Sequence, residues 1–445
     1  MGSELLNYFN GDELAANVWQ GKYAQEGEET PDDMHRRMAK EFAKVDNKYQ
    51  GDTELILPDN LSEYGASRQP LNENTIYNLF KDFKYIVPQG SIMSQLGSKS
   101  IGSLSNCFVI GQPEDSYGGI LLKDEEMAQL MKRRGGVGLD ISTLRPSGSS
   151  TSNAAKTSTG AVSFMHRYSN TTREVAQNGR RGALMLSISI NHPDVMDFIK
   201  IKRDGTSVTG ANISIKINDE FMKAVENDED YLLRFPCDLI IDKTIDLKED
   251  IGEVQLIDLA KNNTINFDRI VSKKIKAREY WNEIIKSAHG YAEPGIIFEN
   301  NHHDYSPDGV YPQFKGVTTN PCGEIFMQPY DACRLMAINL YSFVYKPFTS
   351  DATFDTGKFY SYVYEAMRLS DDLIDLELEY IDRILEKISN DSQSSAIKYT
   401  ERKLWLNIRE TAQSSRRTGL GFTALGDALA ALGYKYDSDE ALLFI

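Results

Sequence analysis

The sequence predicts an α/β fold, a barrel or an open parallel sheet, behind a mainly helical N-terminal region. Three observations carry that expectation. Between about residues 107 and 298, short apolar or alternating runs of strand length recur between longer runs of helical period, joined by glycine- and serine-rich loops, which is the rhythm of parallel strands linked by helices. The first 95 residues instead carry helix starts and ordinary apolar packing. With 445 residues, 41% of them hydrophobic and 26% charged, the chain can bury a large core. The expected division is a helical domain over 1–95 and an α/β domain over 96–445.

Taken in order, Thr30-Pro31-Asp32-Asp33 starts a helix through Met34 to Val45: a threonine cap, proline in the first turn, and two acids at the positive end of the dipole. Asn72 to Phe83 is a second helix. The segment Cys107-Phe108-Val109-Ile110 reads as a buried strand and Glu125 to Arg134 as a helix. Gly135 to Asp140 and Leu144 to Ser152 read as loops whose small residues offer backbone N–H groups beside Arg145, a composition able to hold phosphate and also common in plain connectors. A helix from Thr159 to about Val175 leads to a glycine-basic loop, Asn178-Gly179-Arg180-Arg181-Gly182, and then to a strand, Leu184 to Ile190. Further along, Pro193–Lys202, Asp219–Val225 and Ala277–Ala288 read as helices, and Ala211–Ile217 and Gly295–Phe298 as strands. The acidic, weakly periodic stretch Asn227 to Ser272 reads as a surface insertion. A strand is expected over Met336–Val344, a long helix over Lys358–Ile388 with its acids exposed, and a helix over Lys403–Ala412. Thr418-Gly419-Leu420-Gly421 is expected to open a last helix reaching about Leu432. That glycine pair is no dinucleotide fingerprint, because Gly426 is misplaced and no strand is evident before it.

Composition narrows the function. Forty-nine basic against 65 acidic residues, a net charge of −16, argue against a general nucleic-acid or membrane surface and leave room for a local phosphate site. No apolar run approaches the roughly 18 residues that span a bilayer, and no basic-then-apolar leader stands at the N-terminus. Four cysteines, Cys107, Cys237, Cys322 and Cys333, none in a C-x-x-C, point to a reducing cytoplasm and away from both a disulfide scaffold and a zinc or other metal site. Cys237 reads as a structural thiol.

One stretch concentrates chemistry. In Thr318-Thr319-Asn320-Pro321-Cys322-Gly323-Glu324-Ile325 an amide, a thiol and a carboxyl group stand at alternate positions, so an extended segment would point all three to one side. Pro321 and Gly323 also suit a tight loop, and the same wording fits a Pro-Gly turn around an incidental cysteine.

Together, Ser103-Leu104-Ser105-Asn106-Cys107-Phe108-Val109 and Asn320-Pro321-Cys322-Gly323-Glu324-Ile325 resemble the catalytic subunit of ribonucleotide reductase, with motifs in family order from Leu14 to about Leu432. The resemblance implies a ten-stranded α/β barrel with a finger loop through its centre. By the same resemblance Cys322 carries the thiyl radical, Glu324 is the base for the ribose 3′ hydroxyl and Asn320 holds a substrate hydroxyl. Cys107 and Cys333 are the reducing dithiol, while Ser91, Asn106 and Gly136 contact substrate. The Leu144–Ser152 loop, with Arg145, Ser147, Gly148 and Asp115, resembles the first specificity loop, which binds dNTP or ATP effectors. The loop carrying Asn178, Arg180 and Arg181 resembles the second. The eleven residues from Cys322 to Cys333 and the Pro-Cys-Gly-Glu wording look like the adenosylcobalamin-dependent class; the alternative is a radical from a separate metal-containing subunit. A thioredoxin- or glutaredoxin-type reductant and a homodimer are implied partners.

Full-length family members continue, after the equivalent of residue 445, with a Pro-Thr-Gly-Ser-type phosphate loop, the last barrel strands and a cysteine pair. The expectation is therefore an incomplete barrel that needs a complementing C-terminal polypeptide. Two other readings compete: an inactive nucleotide-binding or dimerisation module of a split reductase, and another thiyl or dithiol enzyme on the same barrel.

Overall fold

In the computed structural model the described residues are 2–51, 71–175, 182–238, 257–258, 263–264 and 271–445. Packing groups the chain into two units, Cys107–Asp331 and Met1–Asn106 with Ala332–Ile445.

The Cys107–Asp331 unit is built on five parallel strands: β1 (Cys107–Val109), β2 (Gly136–Asp140), β3 (Leu184–Ser189), β4 (Asn212–Ile217) and β5 (Gly295–Phe298). They lie in the order β5-β4-β3-β2-β1, so each strand pairs with the next along the chain. Helices fill the connections, as parallel pairing requires: Tyr117–Met131 after β1, Ala161–Glu174 after β2, Val195–Lys200 after β3, and Asp219–Glu226 and Ala277–Tyr291 before β5. Five of the ten strands expected of the barrel thus form one half-barrel sheet.

The register divides the side chains of this sheet into two sets. Cys107 stands beside Gly136, Val109 beside Gly138, Gly138 beside Met185, Asp140 beside Ser187, Met185 beside Asn212, and Ser189 beside Lys216. Paired residues share a face and alternate residues return to it, so one face carries Cys, Gly, Asp, Ser, Asn and Lys, with Val109 and Met185 as its apolar members. The other carries Phe108, Val137, Leu139, Leu186, Ile188, Ile213 and Ile215, all essentially without solvent exposure. The first face is small and polar because a chain segment passes across it: a Cβ on Gly138 would meet the Thr319 carbonyl oxygen at 1.9 Å.

Two expectations change here. Gly135 to Asp140, expected as a loop, is strand β2 from Gly136 onward, its glycines admitting a neighbouring backbone. The insertion expected from Asn227 begins and ends as an antiparallel pair, Asp230–Phe235 with Val271–Lys276.

In the other unit, Asp33 caps the helix Pro31–Gly51 by accepting from the N–H groups of Glu29 and Thr30, both at 3.0 Å. Asn72 caps Glu73–Phe80 through the N–H of Thr75 at 2.9 Å. These helices pack with the 35-residue helix Thr356–Asn390 in a core holding Met38, Phe42, Ile76, Phe80, Leu369 and Leu373. Leu335–Asn339 pairs antiparallel with Ile86–Pro88 and parallel with Gly419–Thr423. Gly419–Thr423 is therefore a strand, the helix expected there begins only at Leu425, and a further short helix, Asp439–Phe444, follows it. The acids of the long helix are not all exposed, since Asp372 and Glu377 are buried. No helix among the described residues is long and apolar enough to cross a membrane.

Candidate active site

The chemistry-bearing stretch is the tip of a hairpin. Strand β6 (Thr318–Thr319) pairs antiparallel with β7 (Phe326–Met327), flanked by Val317 N–H to the Met327 carbonyl at 2.9 Å and Asn320 N–H to the Ile325 carbonyl at 3.2 Å. Gly323 N–H donates to the Asn320 carbonyl at 3.0 Å, and Gly323 has φ +85°, a left-handed conformation that glycine adopts without cost. The extended segment is thus replaced by a turn, with its proline and glycine placed as the tight-loop reading expects. Asn320 fastens the turn from within, its Oδ1 accepting the Ile325 N–H at 3.1 Å. The hairpin lies on the small, polar face of the half-barrel: Thr318 and Ser187 hydroxyls are 2.7 Å apart, and Asn212 Nδ2 donates to the Pro321 carbonyl at 2.9 Å.

The turn leaves Cys322 and Glu324 exposed and Asn320 buried. Cys107, buried at the start of β1, and Cys322, which is exposed, act on each other's titration. The effect is unequal. It draws the Cys322 thiol down to about 7 against the opposing effects of burial and Glu324, and it raises the Cys107 thiol far above its ordinary value, with burial adding to the rise. Cys322 is therefore the more acidic of the two thiols. Glu324 is exposed and its charge is felt by both sulfurs. Asn320 is wholly buried, its amide favours the Cys107 thiolate, and its Nδ2 makes no well-formed hydrogen bond, leaving a donor beside the thiols. Gly136 is the register partner of Cys107.

Further expected site residues belong to the other unit. Cys333 is buried in the short strand Ala332–Cys333 of the other unit, which also holds Ser91 and Asn106. These last two touch, Ser91 N–H donating to Asn106 Oδ1 at 3.0 Å. Sequence reasoning missed Glu377: fully buried, it accepts from Ser103 Oγ at 2.6 Å, Leu104 N–H at 2.7 Å and Ser105 Oγ at 3.2 Å, fixing the turn that leads into Asn106 and Cys107. Its signal was an acid within the apolar stripe of Leu373, Tyr380 and Ile384.

Around Arg145 the geometry is specific. Asp115 accepts from Arg145 Nε at 2.8 Å and from its backbone N–H at 3.0 Å, and Arg145 Nη1 donates to the Ser150 carbonyl at 2.9 Å. Beside them is a cavity of about 360 Å³ lined by Tyr117, Arg145, Ser152, Asn153, Ser158 and Phe164, among others. The loop's backbone N–H groups are not the free cradle expected. Ser147 N–H is taken by Asp194, and those of Gly148 and Thr151 by the Ser158 and Lys156 carbonyls. A ligand there would meet side chains. Asn178, Arg180 and Arg181 lie outside the described residues. Cys237 donates toward the Ser142 carbonyl at 3.5 Å and burial raises its thiol, in keeping with a structural role.

A parallel half-barrel crossed by a thiol-bearing hairpin is the arrangement to compare with known proteins. The family model for the ribonucleotide reductase barrel domain matches residues 105–445, and the chain belongs to that family. It is similar to the vitamin B12-dependent ribonucleoside-diphosphate reductase of Mycobacterium tuberculosis, 28% identical over 366 residues, covering 82% of this chain and 44% of that protein. The Thermoplasma acidophilum protein of the same description is 30% identical, covering 80% of this chain and 38% of that one. The large subunit of the Variola virus ribonucleoside-diphosphate reductase is 28% identical over 82% of this chain and 43% of its own length. The chain thus spans less than half the length of these relatives. In fold it matches the Actinobacillus ureae class Id ribonucleotide reductase alpha subunit with a TM-score of 0.62 at 16% identity, over 97% of this chain and 64% of that one.

Proposed function

We propose that this chain carries the radical half of a ribonucleotide reductase, replacing the 2′ hydroxyl of a ribonucleoside di- or triphosphate by hydrogen. The observation that supports it best is the Cys107–Cys322 pair, one thiol buried, the other exposed at a glycine turn and made acidic by its neighbour. Cys322 takes hydrogen from the ribose 3′ carbon, a bond that acid–base catalysis alone does not break. Glu324 accepts the 3′ hydroxyl proton, and Asn320 offers its buried N–H to a substrate hydroxyl. The 2′ hydroxyl leaves as water, and Cys107 with Cys333 supplies two electrons by becoming a disulfide, which a thioredoxin- or glutaredoxin-type protein reduces. Ser91, Asn106 and Gly136 are proposed to contact the substrate.

Vitamin B12 dependence in the relatives supports adenosylcobalamin, which when bound supplies the radical equivalent that oxidises the thiol. The exposure of Cys322 suits a generator arriving from outside the chain, and the viral large subunit keeps a separate metal-containing subunit as the alternative. Asp115 and Arg145, with Ser147 and Gly148 in the same loop, are proposed as the dNTP or ATP effector site, with Asn178, Arg180 and Arg181 relaying effector identity. A cytoplasmic homodimer completed by a C-terminal polypeptide is the proposed assembly, with 1–95 as its helical domain and 96–445 as its catalytic one.

The test supplies each ribonucleotide, a dithiol and adenosylcobalamin, with and without a polypeptide covering the rest of the family's length. Deoxynucleotide formation is expected with the complement and should vanish in Cys322→Ser with effector binding retained. Effector binding without turnover under every condition would instead favour a nucleotide-binding module, and an unchanged rate in Cys322→Ser would remove the radical role.

A further inference from the structure

The hairpin that carries Cys322 is tied at its root to a buried line of charges that the chemistry above does not use. Asp140, fully buried at the end of β2, accepts from Lys216 Nζ on β4 at 3.0 Å, and Lys216 reaches Glu299 Oε1 at 3.2 Å. Burial disfavours charge on Lys216, but Asp140 and then Glu299 outweigh it and hold the ammonium above its usual range. Burial likewise opposes charge on Glu299, and Lys216 with His303 overcomes it, holding the carboxyl down at about 2. Lys216 is therefore charged, and Glu299 is ionised beside it.

Each end of this line touches one leg of the hairpin. At one end Ser187 Oγ lies 3.4 Å from Asp140 Oδ1 and 2.7 Å from Thr318 Oγ1. Ser187 donates to Asp140, which leaves Thr318 to donate to Ser187. At the other end His303 Nε2 is 3.7 Å from Glu299, and the rings of His302 and His303 pack on Phe326, with centroids 4.7 and 5.6 Å away. Thr318 and Phe326 stand on the paired strands β6 and β7.

We infer that Lys216, through Asp140 and Glu299, is a positioning residue for Cys322: it sets where the hairpin stands on the half-barrel and so whether the tip meets Cys107. The inference rests on reading Cys322 as the working thiol. An ion cluster that only stabilised the sheet would require no polar link to either leg of the hairpin. Here the line continues through two hydroxyls to Thr318 and through an imidazole to Phe326.

The readout is the pH profile of Cys322 alkylation by iodoacetamide in the full chain, resolved from the other cysteines by peptide mass spectrometry, with no nucleotide or cofactor present. In the native chain half-maximal reactivity is expected near pH 7, where Cys107 holds the thiol. In Lys216→Met the tip should leave Cys107 and the midpoint should climb toward the ordinary thiol value of about 8.5, a roughly fifteenfold loss of thiolate at pH 7. Lys216→Arg should restore the native midpoint. Ser187→Ala cuts the link to Thr318 while keeping the Lys216 contacts with Asp140 and Glu299, and should move the midpoint in the same direction even if Lys216→Met does not fold. A native midpoint in folded Lys216→Met, or in Ser187→Ala, overturns the inference. Because the profile needs no turnover, it stands or falls separately from the reductase reading.

Discussion

Gly138→Ala is the sharpest test of the packing that positions the thiol. The new Cβ would sit 1.9 Å from the Thr319 carbonyl oxygen and 3.3 Å from Val109 Cγ2. The first of these is backbone, so no flexible side-chain end can swing clear. Real Cβ contacts do not come closer than 3.0 Å, so sheet and hairpin must part by about 1 Å, and forced repacking of this kind costs about 1–3 kcal/mol. The melting temperature should drop by a few degrees, at about 2–4 °C per kcal/mol for units of this size. Thr319 is three residues from Cys322, so the tip moves with it. The alkylation midpoint of Cys322 should rise from near 7, and turnover, where it is reconstituted, should fall about a hundredfold, as displacements of 1 Å commonly cause. Gly421→Ala is the control, since a Cβ there meets nothing within 4 Å and should leave both readouts unchanged. If Gly138→Ala melts and titrates like the native chain, the close passage of the hairpin over β2 is wrong.

Other consequences follow from single groups. Asp372 in the long helix is held protonated up to about 7 by burial first and by the charge of Asp46 second, with Arg368 opposing, and its Oδ2 has no hydrogen-bond donor. The folded chain keeps that proton where the unfolded chain loses it near 4, so stability should fall as pH rises from about 4 to 7 and then level off. Asp372→Asn should remove this fall, gaining on the order of 2–4 kcal/mol at pH 8 and little at pH 4; melting curves that track the native chain at both pH values would refute it. Arg145→Ala frees Asp115 as an unpaired acid on the wall of the 360 Å³ cavity. It should weaken dNTP binding at least tenfold by calorimetry while the Cys322 profile stays native, and undiminished binding would move the effector site elsewhere.

How much was legible in the sequence depends on what each residue answers to. Strands β1, β3, β4 and β5 were readable because their apolar positions repeat within the segment itself. Gly136–Asp140 and Gly419–Thr423 were not, and for a shared reason: local propensity assigns glycine runs to loops or helix starts, whereas here the missing side chains make room for another part of the chain. On Gly138 that neighbour is the Thr319 backbone, and a Cβ on Gly419 would come 2.5 Å from Cys333 Sγ. Of the candidate site, Asn320, Cys322 and Glu324 were found by spacing, since they share one hairpin. Cys107 came only from family resemblance, because no local pattern links residues so far apart. Glu377 was passed over because a carboxylate on a helix is usually solvated, and only its place in the apolar stripe argued otherwise.

One signal was present in the sequence and not used. Strands buried on both faces of a parallel sheet normally read as continuous apolar runs. Here β2, β3 and β4 alternate, with Gly136, Gly138 and Asp140, then Ser187 and Ser189, then Asn212, Ser214 and Lys216 on one face. Alternation usually means that one face is solvated, yet Asp140, Ser187, Ser189, Ser214 and Lys216 are all buried. A polar face that is nevertheless buried must be covered by something that hydrogen-bonds, because unpaired polar groups cost about 1–3 kcal/mol each. Part of the cover is the hairpin, whose Thr318 hydroxyl meets Ser187 and whose Pro321 carbonyl accepts from Asn212, while Asp140 and Lys216 pair with each other. Small, polar residues recurring at every second position of successive parallel strands are thus the imprint of a threaded loop, and they locate the segment that carries the chemistry without reference to its cysteine.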